Sequence, residues 1–372
     1  MKITVNAKPL REATQRCLKA VPGKSSIQIL YSFLITVKSG KMSITASDTD
    51  TVFVSTMDVA EHDGEGSFCV DAKLFASMVR QMGDIPVVME TRNKEMHIDY
   101  FSGEFDIPVT DADVYPVREA EHEDDRVIEL PCQRVTEALD KTVYAVGSET
   151  IRPQLTGVLW DVKDAEVSWV ATDTHKLAVY TTPLTSAFTA RFIMTKLAAS
   201  LIKEMAVKDG SFLISFRDNT VKVVCGEDSL EAKGINGNFP DYNRVIPKNA
   251  SGSAVIDAGS LVTAIDRCSL TMSQSSSCIV VNLTPQGSEV SATDPDLCRF
   301  SKSRFDIDGD CSEIRIGMNA TFLKEVVKSC KDKDGRVTAR YDNNSKPMLI
   351  SPAEQPSGAE LKAIIMPLQI IE

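Results

Sequence analysis

The sequence predicts an α+β chain made of three tandem copies of one unit, each with two helices packed on antiparallel sheets. Three recurring markers carry this prediction. They return in the same order at a period of about 124 residues, one third of the 372-residue chain.

The first marker is helical. Leu10–Val21, Val135–Val146 and Leu261–Met272 start 125 and 126 residues apart. Each places apolar residues near i, i+3, i+7 and i+11, the period of one helix face. The second marker is another helix, in Val70–Met82, Met194–Met205 and Met318–Cys330. Asp71, Thr195 and Asn319 stand where an N-cap oxygen satisfies the free N–H groups of the first turn. Each copy continues with two adjacent apolar residues and then Arg80, Lys203 or Lys328. The third marker is Ala46–Asp50, Ala171–His175 and Ala292–Asp296, each after an alternating strand. Its Asp and Thr residues predict a turn into the next strand.

Each unit opens with a short strand (Ile3–Val5, Arg126–Leu130, Ala254–Ile256) and continues into its first helix. Alternating strands such as Phe33–Lys38 and Met42–Ala46 follow, then the second helix. Strands such as Val87–Glu90, Met96–Tyr100 and Phe105–Val109 close the unit. Linkers are expected at Pro116–Asp125, which is acidic, and at Pro247–Gly252. The domains are therefore placed at 1–120, 121–248 and 249–372. Solenoid repeats run about 20–50 residues, so this period means whole domains in tandem.

Composition narrows the function classes. Hydrophobic residues make up 43 % and charged residues 25 %, enough apolar surface to exclude disorder as the main state. No run of about 18 apolar residues predicts a membrane helix. The N-terminus enters a strand pattern without a signal-peptide core, so a cytoplasmic location and no membrane partner are expected. The nine cysteines are scattered, with no CxxC pair, and read as buried thiols of a reducing compartment. No metal and no cofactor is expected.

The net charge of −11 and pI near 5.1 argue against a protein that grips nucleic acid by charge. The distribution says more. The six predicted helical segments sum to about +6 and the remainder to about −17. A solvated helix face is the plain explanation. The recurrence of Arg80, Lys203 and Lys328 at one position instead suggests a common basic surface, for which a phosphate backbone is the natural partner. Few aromatic residues interleave with it, so stacking on single-stranded bases is not indicated.

An enzyme finds little support. Asp173 and His175 suggest a hydrolase dyad, but no nucleophile motif, P-loop or HExxH accompanies them. Asp48 and Asp294 repeat the Asp173 position, which marks it as a turn residue. His62, His97 and His122 have no metal-ligand spacing. No catalytic residue is assigned.

Three segments carry a family resemblance. Ala171–Val179 (ATDTHKLAV) resembles the ATDGHRLAV segment of bacterial DNA polymerase sliding clamps, of the polymerase III beta-subunit type. Gly237–Pro247 (GNFPDYNRVIP) is similar to their GxFPDYxRVxP segment, and Ile365–Leu368 (IMPL) to their VMPM or VMPL ending. The triplication covers the whole chain and agrees. The resemblance implies a DNA-clamp domain in each copy, and a head-to-tail homodimer forming a closed ring. Such a ring encircles duplex DNA without sequence preference and tethers the replicative polymerase alpha subunit. It implies an ATP-driven clamp loader as a second partner, other proteins with a clamp-binding motif, and no catalytic activity. The competing reading is a tandem-domain protein-binding scaffold that is not loaded on DNA.

The resemblance also implies a partner-peptide cleft between the second and third copies. Carried over residue by residue, its matching positions are Leu155, Thr172, Thr174, His175, Lys176 and Leu177, then Pro240, Val245, Ile364 and Met366, with Arg152 nearby. Apolar residues suit the floor, and Thr, His and Arg suit rim hydrogen bonds. On the DNA side it adds Lys24 and Lys73 to Arg80, Lys203 and Lys328, while Glu149 stands where a neutral or basic group is expected. The chain departs from the pattern in three places. Thr174 replaces a common Gly and is expected to narrow the cleft or change the turn. Lys176 replaces Arg and loses the guanidinium fork. Gln369–Glu372 runs past the usual ending and is expected to reach the cleft mouth.

Overall fold

The computed structural model describes residues 1–116, 126–186, 188–272, 277–295 and 297–370. Most of the first expected linker, His122 within it, and Asp296 lie outside the described residues. The second linker is irregular and largely exposed over 247–251.

Among the described residues are six α-helices, two in each copy: α1 (Ala7–Leu18), α2 (Ala72–Gln81), α3 (Cys132–Thr142), α4 (Lys196–Met205), α5 (Ala258–Ser269) and α6 (Ala320–Cys330). The second helix of each copy is capped as its sequence demands. The Asp71 carboxylate accepts the Leu74 N–H at 2.7 Å. Thr195 Oγ1 accepts that of Ala198 and Asn319 Oδ1 that of Phe322, both at 3.1 Å. Such a cap contributes about 1 kcal/mol.

The first helices begin three residues earlier than their apolar period predicts, at Ala7, Cys132 and Ala258. The preceding strand passes into the helix with no loop, and these small side chains are buried at the junction. Asp257 accepts the Ser260 N–H at 2.6 Å to start α5. Pro9 falls in the first turn of α1, where a missing N–H costs no helix bond.

The third marker makes the expected turns. Asp48 Oδ1 accepts the N–H groups of Asp50 and Thr51 at 3.1 and 2.7 Å. Asp173 Oδ1 accepts those of His175 and Lys176 at 2.9 and 2.8 Å. Asp294 Oδ1 accepts that of Leu297 at 3.1 Å.

The chain divides into two compact units, residues 1–136 with 194–234, and residues 137–193 with 235–372. The second copy is thus shared out, which the repeat pattern does not disclose. In the first unit, a nine-stranded antiparallel sheet joins the first copy's strand Thr51–Asp58 to the second copy's Asp228–Lys233. A five-stranded sheet runs Glu61–Asp63, Lys2–Asn6, Pro86–Arg92, Glu95–Tyr100, Gly103–Pro108. In the second unit, another nine-stranded sheet joins the second copy's Lys176–Pro183 to the third copy's Glu360–Ile365. A four-stranded sheet runs Arg299–Phe305, Ser288–Asp294, Cys278–Leu283, Ile314–Asn319. Backbone pairing therefore fuses neighbouring copies.

All nine cysteines are free, and seven are buried; Cys278 is half-buried and Cys298 exposed. Burial pushes the Cys69 thiol up to about 11 and that of Cys330 to about 12, as expected of inert core thiols.

Candidate functional site

Three stretches of the second unit build one cleft. The strand Lys176–Pro183 is central, paired on one side with Glu166–Thr172 and on the other with Glu360–Ile365. In this register Leu177 lies opposite both Thr172 and Ile364, which brings residues 187 positions apart side by side. The second stretch is a single 3₁₀ turn, Pro153–Leu155, tied down where Gly147 N–H donates to the Leu155 carbonyl at 2.8 Å. The third is the segment after Ile235, whose N–H donates to the Ile193 carbonyl at 2.9 Å. It ends in the 3₁₀ turn Tyr242–Arg244, and Tyr242 anchors it by donating to Asp161 Oδ2 at 2.8 Å.

These stretches enclose a cavity of about 380 Å³. All eleven expected cleft residues line it, from Arg152 and Leu155 through Thr172, Thr174, His175, Lys176 and Leu177 to Pro240, Val245, Ile364 and Met366. Four lining residues escaped the sequence reading: Gln154, Asn238, Asp241 and Tyr242. Three of these sit inside the Gly237–Pro247 segment that carried the resemblance, so the signal was present. The floor belongs to one apolar cluster in which Leu155, Leu177 and Ile364 are at most 6 % exposed. Val245 and Met366 instead stand 50 % and 40 % exposed, apolar side chains turned to the opening. Buried floor with exposed apolar rim suits capture of a hydrophobic side chain.

The turn Asp173–His175 forms one wall, and Thr174 adopts φ +79° there, a left-handed conformation costly for a β-branched residue. The substitution for glycine thus stores backbone strain at the cleft. Thr49, its counterpart in the first copy, has φ +84°.

Lys176 takes a role the sequence did not disclose. Its side chain is only 6 % exposed, with Nζ 2.9 Å from Asp173 Oδ2 and 3.0 Å from Glu325 Oε2. The same ammonium lies 4.1 Å from the centre of the Phe322 ring, against which His175 also stacks at 5.8 Å. Asp173 therefore shapes the turn with one oxygen and holds Lys176 with the other. Lys176 in turn ties this wall to α6. Both carboxylates that hold it belong to the protein, so it braces the cleft, and the polar rim falls to Arg152 and His175 together with Gln154, Asn238 and Asp241. A neighbouring cavity of about 430 Å³ lies between this wall and Phe322, with Glu149 on its lining.

The expected reach of the C-terminal extension to the cleft mouth is corrected. Met366 N–H still donates to the His175 carbonyl at 2.8 Å, but Leu368 then pairs with Gly317 on the edge of the four-stranded sheet. A Cβ at Gly317 would stand 2.5 Å from the Leu368 carbonyl oxygen, so only glycine admits this tail. Gln369 and Ile370 do not line the cavity, and residues 371–372 lie outside the described residues.

The expected DNA-facing residues are all exposed. Lys24 follows α1, Lys73 and Arg80 are on α2, Lys203 on α4 and Lys328 on α6. Arg80, Lys203 and Lys328 occupy the last turn of their helices, where a cation also offsets the helix dipole. The six observed helices carry a summed charge of about +6, matching the value from the predicted segments.

Comparison with known proteins agrees along the whole chain. Models of the DNA polymerase III beta subunit match here in order: the N-terminal domain at residues 1–119, the central domain at 129–241 and the C-terminal domain at 243–369. The chain is 26 % identical to the beta sliding clamp of Bacillus subtilis, covering 99 % of this chain and all of that one. It is 25 % identical to that of Staphylococcus aureus over 95 % of each. Among solved structures it resembles the Pseudomonas aeruginosa DnaN sliding clamp bound to griselimycin (TM-score 0.92, 19 % identity). It also resembles the Thermotoga maritima DNA polymerase III beta subunit (TM-score 0.91, 21 % identity). Both comparisons cover 100 % of each chain.

Proposed function

The chain belongs to the DNA polymerase III beta subunit family, the sliding clamps of DNA replication, and from that premise we propose that two copies close head to tail around duplex DNA. In this reading each copy supplies three clamp domains, near 1–120, 121–248 and 249–372, and the cleft is the handle that other proteins grasp. The replicative polymerase alpha subunit, the clamp loader and other proteins with a short hydrophobic motif insert it there. Leu155, Leu177 and Ile364 form the floor, Met366 and Val245 the mouth, and Arg152 and His175 the polar rim. The single observation that carries the reading is the convergence of all eleven expected residues on one cavity.

Physics accounts for the unusual charge. A closed ring retains DNA by topology, so tight binding is unnecessary and would slow sliding. In this reading the exposed Lys24, Lys73, Arg80, Lys203 and Lys328 face the duplex and draw its phosphates from around the ring without sequence preference. The acidic remainder keeps the exterior soluble and off DNA. The clamp performs no bond chemistry in this reading and acts in the cytoplasm.

Retention on DNA tests it. Loaded by a cognate loader with ATP, the protein should stay on circular DNA and be released when the circle is cut. Release from both forms alike would favour the scaffold that is never loaded. The variant Lys24→Glu/Arg80→Glu should hinder loading while sparing peptide binding; normal loading would leave those charges merely solvated.

A further inference from the structure

The nine free cysteines include one pair in contact. Cys132 Sγ lies 3.5 Å from Cys225 Sγ, although 93 positions separate the two in sequence. Among the described residues no other pair of cysteines makes such a contact. Other buried thiols point at the backbone instead. Cys17 donates to the Ile44 carbonyl and Cys268 to that of Val290, both at 3.3 Å, and Cys330 reaches that of Ile350 at 3.8 Å. Cys132 and Cys225 have each other.

Two chain junctions of the first unit bring the sulfurs together. Cys132 is the first residue of α3, where the strand Arg126–Pro131 turns into the helix, and its N–H donates to the Gly210 carbonyl at 2.9 Å. Cys225 ends the strand Thr220–Cys225, just before an exposed turn at Gly226 and Glu227. The strand Ser211–Arg217 lies between and pairs with both, Ser211 opposite Pro131 and Leu213 opposite Val224. The bend Val207–Gly210 is closed by the Gly210 N–H on the Val207 carbonyl at 3.1 Å. It packs over the first sulfur: a Cβ at Gly210 would stand 3.6 Å from Cys132 Sγ. Cys132 is 1 % and Cys225 4 % exposed, yet the turn beside Cys225 is open to solvent. The pair thus sits one layer of chain below the surface, within reach of a small reagent when that turn opens. Burial pushes the Cys225 thiol up to about 11, so it rests as a thiol at neutral pH.

We propose that Cys132 and Cys225 form a reversible disulfide site, closed by hydrogen peroxide or a small-molecule disulfide and reopened by cellular thiols. On closure two S–H bonds break and one S–S bond forms. Two protons and two electrons pass to hydrogen peroxide, whose O–O bond breaks to give two waters. A small disulfide takes them instead and leaves as two thiols. The sulfurs need to approach by about 1.5 Å to bond, which side-chain rotation supplies. In a reducing compartment such a bridge is transient and serves as a redox sensor, not as a permanent staple. Once closed, it ties the start of α3 to the strand Thr220–Cys225. It also encloses residues 132–225, the bulk of the second repeat, with Arg152, Leu155 and the turn Asp173–His175 inside. Enclosing so long a stretch removes freedom from the unfolded chain, so the oxidised protein resists unfolding. Formation of the bridge does not depend on what the chain encircles.

Thiol mapping on the folded, full-length chain tests the assignment. Cys298→Ser removes the exposed thiol and with it cross-links between chains. This protein is treated with hydrogen peroxide or, in a parallel arm, with oxidised glutathione. Remaining thiols are then blocked under denaturing conditions and the digest is read by mass spectrometry. The peptides of Cys132 and Cys225 should appear joined, and the other cysteines should carry the blocking group. The thermal midpoint should rise by about 5–15 °C on oxidation and return with dithiothreitol. Adding Cys225→Ala should abolish both the joined peptides and the rise. Closure by one oxidant alone still supports the site and names the class of oxidant that reaches it. Cys132 and Cys225 each blocked singly after both treatments overturn the proposal. So does either one joined to a different cysteine, or a bridge that leaves the midpoint unmoved or lowers it.

Discussion

Replacing Lys176 by methionine isolates the brace behind the cleft. Methionine keeps an apolar stem of similar length against Phe322 and removes the ammonium. Two carboxylates then lose their partner. Asp173 has only 14 % of its side chain exposed and keeps its two backbone N–H donors, whereas Glu325, at 40 %, turns to water. Breaking a fully buried pair costs about 3–5 kcal/mol; the solvent reach of Glu325 reduces this to about 2–3 kcal/mol. At about 2–4 °C per kcal/mol for a unit of this size, the thermal midpoint should fall by about 4–12 °C. The turn Asp173–His175 also loosens, so a bound peptide must re-order it. Fixing even one backbone residue costs about 1 kcal/mol, which weakens peptide affinity about five-fold. Scanning calorimetry and fluorescence titration with a labelled clamp-binding peptide measure the two effects. Lys176→Arg should restore both, because the longer fork still reaches Asp173 and Glu325. A Lys176→Met protein with wild-type melting and wild-type affinity would refute the brace. So would a Lys176→Arg protein as damaged as the methionine variant.

Other perturbations separate cleft, turn and edge. Thr174→Gly should stabilise the chain by about 0.5–1 kcal/mol, since relief of a left-handed L-residue outweighs the entropy of glycine; a lower denaturation midpoint would count against strain there. Met366→Ala should cost about 1–3 kcal/mol of peptide binding with little loss of stability, because the side chain is already 40 % exposed. Leu177→Ala should instead lower stability as well, by about 2–5 kcal/mol, since Leu177 is part of the core; comparing chemical denaturation of the two variants checks the distinction. The hydrogen bond that His97 Nδ1 donates to the Asp106 carboxylate, 2.8 Å away, raises the His97 pKa above its ordinary 6.5. A raised folded-state value means that the contact stabilises below pH about 6.5 and fades as pH rises through the folded value. His97→Gln should therefore lower stability at pH 5.5 and leave it unchanged at pH 8.5; equal losses at both would exclude an ionic contribution.

The parts of this protein that are local in chemistry were legible in its sequence. A cap needs only an oxygen three residues before its donor, and Asp71, Thr195 and Asn319 announce three helices that way. The turns at Asp48, Asp173 and Asp294 follow the same rule, and their regular return exposed the triplication. Helix starts were misplaced by three residues because apolar period reports the buried face, not the strand that runs into it. The cleft residues were legible through family resemblance alone: nothing in their spacing brings Leu155, Leu177, Val245 and Ile364 together.

Tertiary structure decided what depends on distant partners. Sheet register set Leu177 against Ile364 and divided the second copy between two sheets, since a strand edge pairs with whatever the fold brings to it. Burial beside Glu325 gave the cavity-lining Lys176 a second part as a brace, because an ammonium out of water must find carboxylates. The bare backbone of Gly317 drew the C-terminal tail to a sheet edge and away from the cleft.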